Sequence, residues 1–547
     1  MSLTASGAGA ETLDRTDVRA ALLSAVLLVV SLPPTLGHGL VFAALVPFLL
    51  RWARRRTGAS LRWSVSYGAL FFGSFWAINL LWVLRLTRVA LWPVPAWAGQ
   101  VLLLSLLGGL LGAALHGGRN FPLWIVAPLT WAGIEVLRAD FLGPLSFPWS
   151  PLALALADTP VLLQVGAWVG ETGLGIGIVV IASLIAGGLY RSTGLLSSGS
   201  SVHDAGAGGS GRRGSGVGRL LLAVALLGAW YSAGQARLSS TLSETVAALV
   251  LLQPNISLEA KRNDDAAIPA SIAAIEALLS AAVQAGAGEI VLPETALPMD
   301  LDSEEGRAVI ERWTAQTGRA IWVGGFALSD EGGLLNVLER VPAEPARRVE
   351  AEPGDTTTPP FAARWEKVAL VPGVERAWGS EYRAGSTDQM PLAAGPALPA
   401  GALICIESTH ARIAARHARR GARWLINVTN DSWLGEESRL SRTRAFAQHP
   451  AHLSLRAVET GLGVVRVGNN GWTGTVSPTG VRTEAIPPHR AGVRAVSVAS
   501  MAGQTPYLRF GWILRFLTLG PLFLLLVRAR TLVVPSEAAF PSPGAAR

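Results

Sequence analysis

"GALICIESTHARIAARHARRGARWLINVT" (residues 401–429) decides the fold. Residues 401–406 are an apolar run of strand length, 408–422 carry a helical pattern, and 423–429 return to a strand. The alternation recurs across residues 240–505. Further strand-like runs stand at 246–253, 289–293, 320–327, 463–468 and 494–500. Helical patterns stand at 266–287, 304–318 and 440–461, the last with Pro450 as an expected break. Strands alternating with helices predict an α/β domain, and a segment of about 260 residues can bury a full core. Residues 342–360 read as an irregular insertion between two strands.

The flanking sequence is of another kind. Half of the 547 residues are hydrophobic, and the mean hydropathy of +0.39 is high for a soluble protein. Apolar segments fall near 18–33, 38–50, 63–84, 96–115, 121–138, 170–190, 218–234 and 511–527. Several reach the ~20 residues a membrane helix needs, which predicts about eight spans, although the first two are short enough for one re-entrant hairpin. The first run is no secretory signal before a soluble protein, because more spans follow at once. Arg51, Arg54, Arg55, Arg56 and Arg62 crowd one loop; Arg191, Arg212, Arg213 and Arg219 another; Arg528 and Arg530 the tail. Arg85 and Arg88 are the basic residues of one opposite loop, and the loop near 34–37 has none. The positive-inside rule then puts both termini in the cytoplasm of a multi-pass membrane protein, with the α/β block outside. The expected division is a membrane domain over 1–238, an extracytoplasmic domain over 239–506, and a last span with its tail over 507–547. The Gly/Ser-rich stretch 192–217 reads as a flexible cytoplasmic loop in which His203 has no chemistry. The net charge of +8 is therefore a matter of topology and does not point to nucleic acid.

Cys405 is the only cysteine, which excludes an intramolecular disulfide and a multi-cysteine metal site. It stands where a strand turns into a helix, where backbone N–H groups and a helix start favour a thiolate. Its neighbours alone leave it open whether it is a nucleophile or a small buried hydrophobe. Glu294 in "EIVLPETALP" (289–298) lies at a strand's C-terminal edge, as a general base with a pKa raised by burial or as a surface cap. Only two residues are lysine, leaving 44 of the 46 basic residues as arginine. Lys367, in "RWEKVALVPG" (364–373), precedes a turn and could face developing negative charge, while Lys261 reads as an exposed lysine left by chance.

In chain order these segments resemble the Glu–Lys–Cys triad of the nitrilase superfamily. The spans narrow the resemblance to the bacterial apolipoprotein N-acyltransferases, over nearly the whole chain. "LPETALP" resembles the family's Pro-Glu-Ser/Thr segment, "RWEKVALVPGVE" its lysine segment and "CIE" its Cys-Tyr/Phe-Glu. "NVTNDSWLG" (427–435), "GNNGWTG" (468–474) and "IEVLRADFLGPLSFPW" (134–149) are similar to three further family segments. The resemblance implies eight membrane helices with a nitrilase-like α-β-β-α sandwich inserted before the last. It makes Glu294 the base, Lys367 the oxyanion stabiliser and Cys405 the nucleophile. Glu375, Glu407, Asn430, Trp433 and Trp149 become supporting or substrate-binding residues. Gly373-Val374, Ile406 and Arg262 depart from the family pattern.

The implied reaction is a two-step acyl transfer with no metal or cofactor. A phospholipid donor, phosphatidylethanolamine-like, acylates Cys405, and the free amine of a diacylglyceryl apolipoprotein resolves the thioester, in a chain expected to be monomeric. A membrane-anchored amidase acting on small amides is the alternative enzyme, and a transporter or scaffold the non-enzymatic one. Glu135 and Arg138, one helical turn apart, are expected to pair, chiefly as a packing lock. Trp149 suits a membrane interface.

Overall fold

The computed structural model describes residues 12–35, 37–88, 92–193, 209–262, 266–343, 363–371, 375, 381–393, 398–434 and 444–532. Most of the expected insertion at 342–360 lies outside these residues, as do His203 and the Gly373-Val374 departure. The N-terminal region is helical: α1 (Arg15–Ser31), α2 (Val41–Ala44), α3 (Val46–Arg55), α4 (Leu61–Asn79), α5 (Pro93–Gly117), α6 (Leu123–Asp140), α7 (Pro160–Leu163), α8 (Gly166–Thr193) and α9 (Gly209–Ser240). Asp14 caps α1 by accepting from the amides of Thr16 and Asp17, satisfying two orphan donors of its first turn. Asp17 in turn accepts from Arg51 Nε at 2.6 Å and Trp63 Nε1 at 3.0 Å, so one buried carboxylate ties three helices.

Glycine sets a close helix crossing. A Cβ on Gly68 of α4 would run into the carbonyl of Gly108 on α5, one turn before Gly112. Such small residues let helix backbones approach where hydrophobic driving force is absent. The same device explains a departure from the sequence reading. The loop expected at 192–217 is helical from Gly209 onward, and Gly188 of α8 faces Gly216 and Leu220 of α9 at contact distance. Close packing along α8 offsets the low helix propensity of the glycines.

By length and composition, four described helices are apolar enough to cross a membrane: α5, α8 from Gly166 to Ser192, α9 from Gly216 to Ser240, and Ala267–Gln284. The last is a helix of the α/β block, where Ile275, Leu279 and Ala282 are buried against strands. The other expected spans are helices too, but shorter, more charged or less apolar.

Only Thr241 and Leu242 separate α9 from β1 (Ser243–Gln253). The chain continues through α10 (Leu258–Arg262), α11 (Ala267–Gln284), β2 (Glu289–Val291), α12 (Glu304–Thr317), β3 (Ile321–Leu328), β4 (Leu334–Val341), β5 (Arg364–Glu366) and β6 (Tyr382–Arg383). It goes on through β7 (Ala400–Ile404), α13 (Ala411–Arg419), β8 (Trp424–Thr429), α14 (Arg444–Thr460), β9 (Val464–Gly468), β10 (Thr473–Val476), β11 (Arg482–Ile486) and β12 (Gly492–Met501). The helices α15 (Pro506–Phe510) and α16 (Trp512–Thr531) complete it. Pro450 does not break α14, contrary to expectation.

One sheet runs β12-β1-β2-β3-β4-β5, with β6 on β4, and the other β11-β10-β9-β8-β7. The strands β1–β3 and β7–β9 are parallel and most are near-continuously apolar, as parallel strands covered on both faces require, whereas the antiparallel β11 and β12 are partly exposed. Leu249 and Leu251 share a core with Ile404 and Ile426, and Trp322 meets Trp424 edge-to-face at 5.7 Å across it. Val250 and Leu252, on the other face of β1, pack with Leu279 of α11 and Trp313 of α12. The helices α13 and α14 cover the second sheet, and α14 also packs on α8. The block is an α-β-β-α sandwich seated on the helical region.

Candidate active site

Glu294 lies three residues beyond β2, and Thr295 after it takes a left-handed φ of 47°. The turn presses on β3: a Cβ on Gly324 would lie 2.9 Å from the Glu294 Cα, so only glycine fits there. Lys367 follows β5, and its amide donates to Asn336 O of β4 at 2.8 Å, which extends the ladder by one residue. These sheet ends converge. Lys367 Nζ donates to Glu294 Oε1 at 2.9 Å and to Glu375 Oε1 at 2.7 Å, with the lysine 1% exposed. Asn336 Nδ2 also donates to both carboxylates, at 2.8 and 3.2 Å. The amide of Asn430 donates to Glu294 Oε2 at 2.9 Å. A buried ammonium between two carboxylates needs these extra donors to offset its desolvation.

Cys405 ends β7 on an elbow with φ 51°, a strained value for a residue with a side chain. A short 3-10 turn over Cys405–Thr409 follows, and α13 begins only at Ala411. The helix start expected to favour a thiolate is therefore displaced from the sulfur. Burial pushes the half-buried Cys405 thiol well above its ordinary range, Glu294 pushes it further, and Lys367 opposes both. Glu294 departs from its expectation in the other direction. Burial works to raise its pKa, but Lys367 together with the Asn336 and Asn430 donors prevails and holds it below the usual carboxylate range. The resting state is thus a thiol beside a carboxylate.

Glu407 is fully buried and braces the elbow. Its Oε2 accepts from Ile404 N at 2.7 Å and Trp365 Nε1 at 3.0 Å; its Oε1 accepts from Val368 N at 2.6 Å and Ala369 N at 3.2 Å. One carboxylate fixes the nucleophile's strand against the lysine's. Burial raises its pKa to about 7 against those four donors.

Several site residues were not singled out from sequence. Asn336 is one; a lone amide in the apolar run "LLNVL" was its signal. Lys261 is another, and it is no exposed leftover: its Nζ donates to Thr295 O at 3.1 Å, bracing the turn after Glu294. A third set lies behind the cysteine. His449 Nε2 donates to Cys405 O at 3.1 Å, and its Nδ1 lies 3.0 Å from Asp431 Oδ1 and 3.1 Å from Arg466 Nη2. Arg466 also pairs with Asp431 at 2.6 Å, and all three side chains are buried. The neighbouring Gln448 faces the helical region, accepting from Trp149 Nε1 at 3.0 Å and donating to Asn79 Oδ1 at 3.0 Å.

Trp149 is accordingly buried, at 3% exposure, and not an interfacial residue. Glu135 and Arg138 do not pair with each other. Glu135 Oε1 accepts from Leu152 N at 2.7 Å, and Arg138 donates to the carbonyls of Phe147 and Trp149, so both hold the 147–152 segment that carries Trp149. Trp433 lies in a 3-10 turn after β8, with its side chain outside the described residues. Arg262 ends α10, and its side chain also lies outside them. A cavity of about 230 Å³ opens beside the site, lined by Phe147, Val368, Leu370, Ile406, Arg412 and Arg416 among others.

Residues 24–184 match the family model described as the apolipoprotein N-acyltransferase N-terminal domain, and residues 247–507 the one described as carbon-nitrogen hydrolase. An apolipoprotein N-acyltransferase of Geobacter metallireducens is 26% identical over 514 residues, covering 92% of this chain and 93% of the relative. One from Thermosynechococcus vestitus is 25% identical, covering 91% and 93%. Among solved structures, an amidase from Nesterenkonia sp. is 18% identical with a TM-score of 0.33, covering 49% of this chain and 95% of the amidase.

Proposed function

The chain belongs to the apolipoprotein N-acyltransferase family, and from that premise we propose that it moves one acyl chain from a phospholipid to an apolipoprotein through a thioester on Cys405. Glu294 takes the S–H proton as sulfur attacks the ester carbonyl. The C–O bond to glycerol breaks, and Glu294 returns the proton to the leaving lysophospholipid. In the second step the α-amine of the diacylglyceryl cysteine attacks the thioester, Glu294 takes its proton and passes it to the departing sulfur, and the amide forms as the C–S bond breaks and Cys405 returns to the thiol. A lysine has three N–H donors, and two of those on Lys367 hold Glu294 and Glu375. The third serves the oxyanion, a contribution of roughly 3 kcal/mol. The uphill proton transfer from a raised thiol to a depressed carboxylate proceeds in concert with attack on carbon, which keeps a free thiolate from accumulating.

The observation that carries this reading is the buried Lys367 joining Glu294 to Glu375 beside a strained cysteine. The relatives that span nine-tenths of the chain are named N-acyltransferases and match its helical region too, so the small-amide amidase is not favoured. The donor lies in the cavity beside the site, where Ile406 supplies apolar wall in place of the family's aromatic residue. Eight segments cross the inner membrane: α1, α2 with α3, α4, α5, α6, α8, α9 and α16. The sandwich faces the periplasm and both termini the cytoplasm, as the arginines favour. Incubation with phospholipid alone, followed by mass spectrometry of the Cys405 peptide, is expected to reveal one added acyl chain, absent from Cys405→Ala. Acylation elsewhere, or persistence in that variant, would remove Cys405 from the role.

A further inference from the structure

At the end of the helical bundle away from the sandwich lies a second cavity, of about 220 Å³. Its position follows from connectivity. The Ser240 end of α9 leads into β1, and Glu171 near the start of α8 contacts α14, so Arg219 of α9 and Arg191 of α8 lie at the opposite end. The walls bring together Arg191, Arg219 and Arg56 from the C-terminus of α3, with no aspartate or glutamate among the described lining residues. Arg219 crosses α8 at Gly187, where an added Cβ would lie 3.1 Å from its Nη1. Ser183 also lines the cavity. It is 2% exposed, and its hydroxyl has no hydrogen-bond partner among the described residues. A buried hydroxyl left unsatisfied is costly, and here it is a donor waiting in the wall. Phe121, Trp124 and Tyr190 rim the cavity at 45%, 43% and 39% exposure. Amphipathic aromatic rings settle at head-group depth.

We propose that this cavity binds the phosphate of an anionic phospholipid head group, at a site separate from the catalytic centre. Three guanidiniums match phosphate oxygens in geometry as well as charge, and Ser183 Oγ adds a fourth donor. Basic pockets between membrane helices bind such head groups. Free phosphate shares the anionic chemistry but has no use for the aromatic rim. The inference rests on reading the helical region as a membrane domain and is independent of the reaction at Cys405.

The test is native mass spectrometry of the full chain in detergent with dioleoylphosphatidylglycerol, dioleoylphosphatidylcholine or inorganic phosphate. The expected result is retained phosphatidylglycerol, with phosphatidylcholine at least roughly ten-fold weaker. Each arginine near a lipid surface is worth about five-fold, so the Arg191→Gln/Arg219→Gln variant is expected to lose roughly ten-fold or more. Ser183→Ala, which fits the existing space, is expected to lose about two- to three-fold. Equal phosphatidylglycerol retention by the double variant, or equal binding of phosphatidylcholine, overturns the proposal. Inorganic phosphate that fully displaces the lipid at the same concentration reassigns the site to a free anion and overturns the lipid source. Cys405 acylation is expected to continue in these variants. Its failure in the wild type with lipid still bound would strike the catalytic reading alone.

Discussion

Lys367 is the residue on which the site turns. It is the counterion of two buried carboxylates and the one side-chain ammonium in reach of the thiol's field. Lys367→Arg keeps the charge but replaces three rotatable donors with a planar fork. The expected outcome is acyl-enzyme formation slowed about a hundred-fold or more, read as the rate of Cys405 thioester appearance; a near wild-type rate would leave Lys367 a structural counterion only. A second prediction concerns pH. The raised carboxyl of Glu407 contributes stability that is full below its ordinary value of 4.5 and lost as pH rises through about 7. The depressed Glu294 has the opposite sign, present above the ordinary carboxylate value and lost on acidification below its folded pKa. The thermal-stability advantage of the wild type over Glu407→Gln should therefore shrink across the window from 4.5 to about 7; a flat difference would contradict the assignment. Glu294, Lys367 and Cys405 each stand at a strand end before a turn, but that local pattern left each one open, and the family resemblance joined them as one candidate site. The direction of the Glu294 pKa was not legible, because no local pattern says that a lysine 73 residues away will touch it. Lys261 was misread for the same reason.

Among the elements, α14 joins the two halves of the molecule. Two neighbouring residues serve different partners: Gln448 bonds Trp149 and Asn79 of the helical region, while His449, its ring 5.8 Å from that of Trp149, bonds the carbonyl of Cys405. His449 is a positioning residue that holds the elbow through the backbone. His449→Asn shortens that reach, and acylation is expected to slow roughly ten- to hundred-fold with the donor KM unchanged. A raised KM with kcat intact would place His449 in donor binding instead. The periodicity of 440–461 disclosed a helix but not its two-sided role, since a helix buried on all sides carries no polar face to orient it. Pro450 misled because proline costs a helix interior heavily in isolation, and here the surrounding packing holds the helix straight through it.

For the whole molecule, the seam is ionic as well as apolar. Arg456 of α14 pairs with Glu171 of α8 at 2.6 Å and with Glu459 at 2.9 Å, and donates to Thr409 O at 3.1 Å. Arg456→Met leaves buried carboxylates without their counterion, a loss of about 3–5 kcal/mol. The expected reading by calorimetry is one unfolding transition in the wild type and two in the variant; a single, unshifted transition would show that the seam does not couple the halves. The α/β block was legible from strand–helix alternation, while its two-sheet sandwich was implied by the family resemblance alone. The helical region was legible as apolar segments, but its internal contacts were not, because lipid-facing and bundle-facing positions look alike in composition. The junction of two residues between α9 and β1 has a consequence for the bilayer itself. With so little slack, a tilt of α9 in a membrane too thin or too thick for it is expected to draw β1, the strand next to the edge of the first sheet, with it. Bilayer thickness is thereby expected to reach the sandwich through α9 and β1.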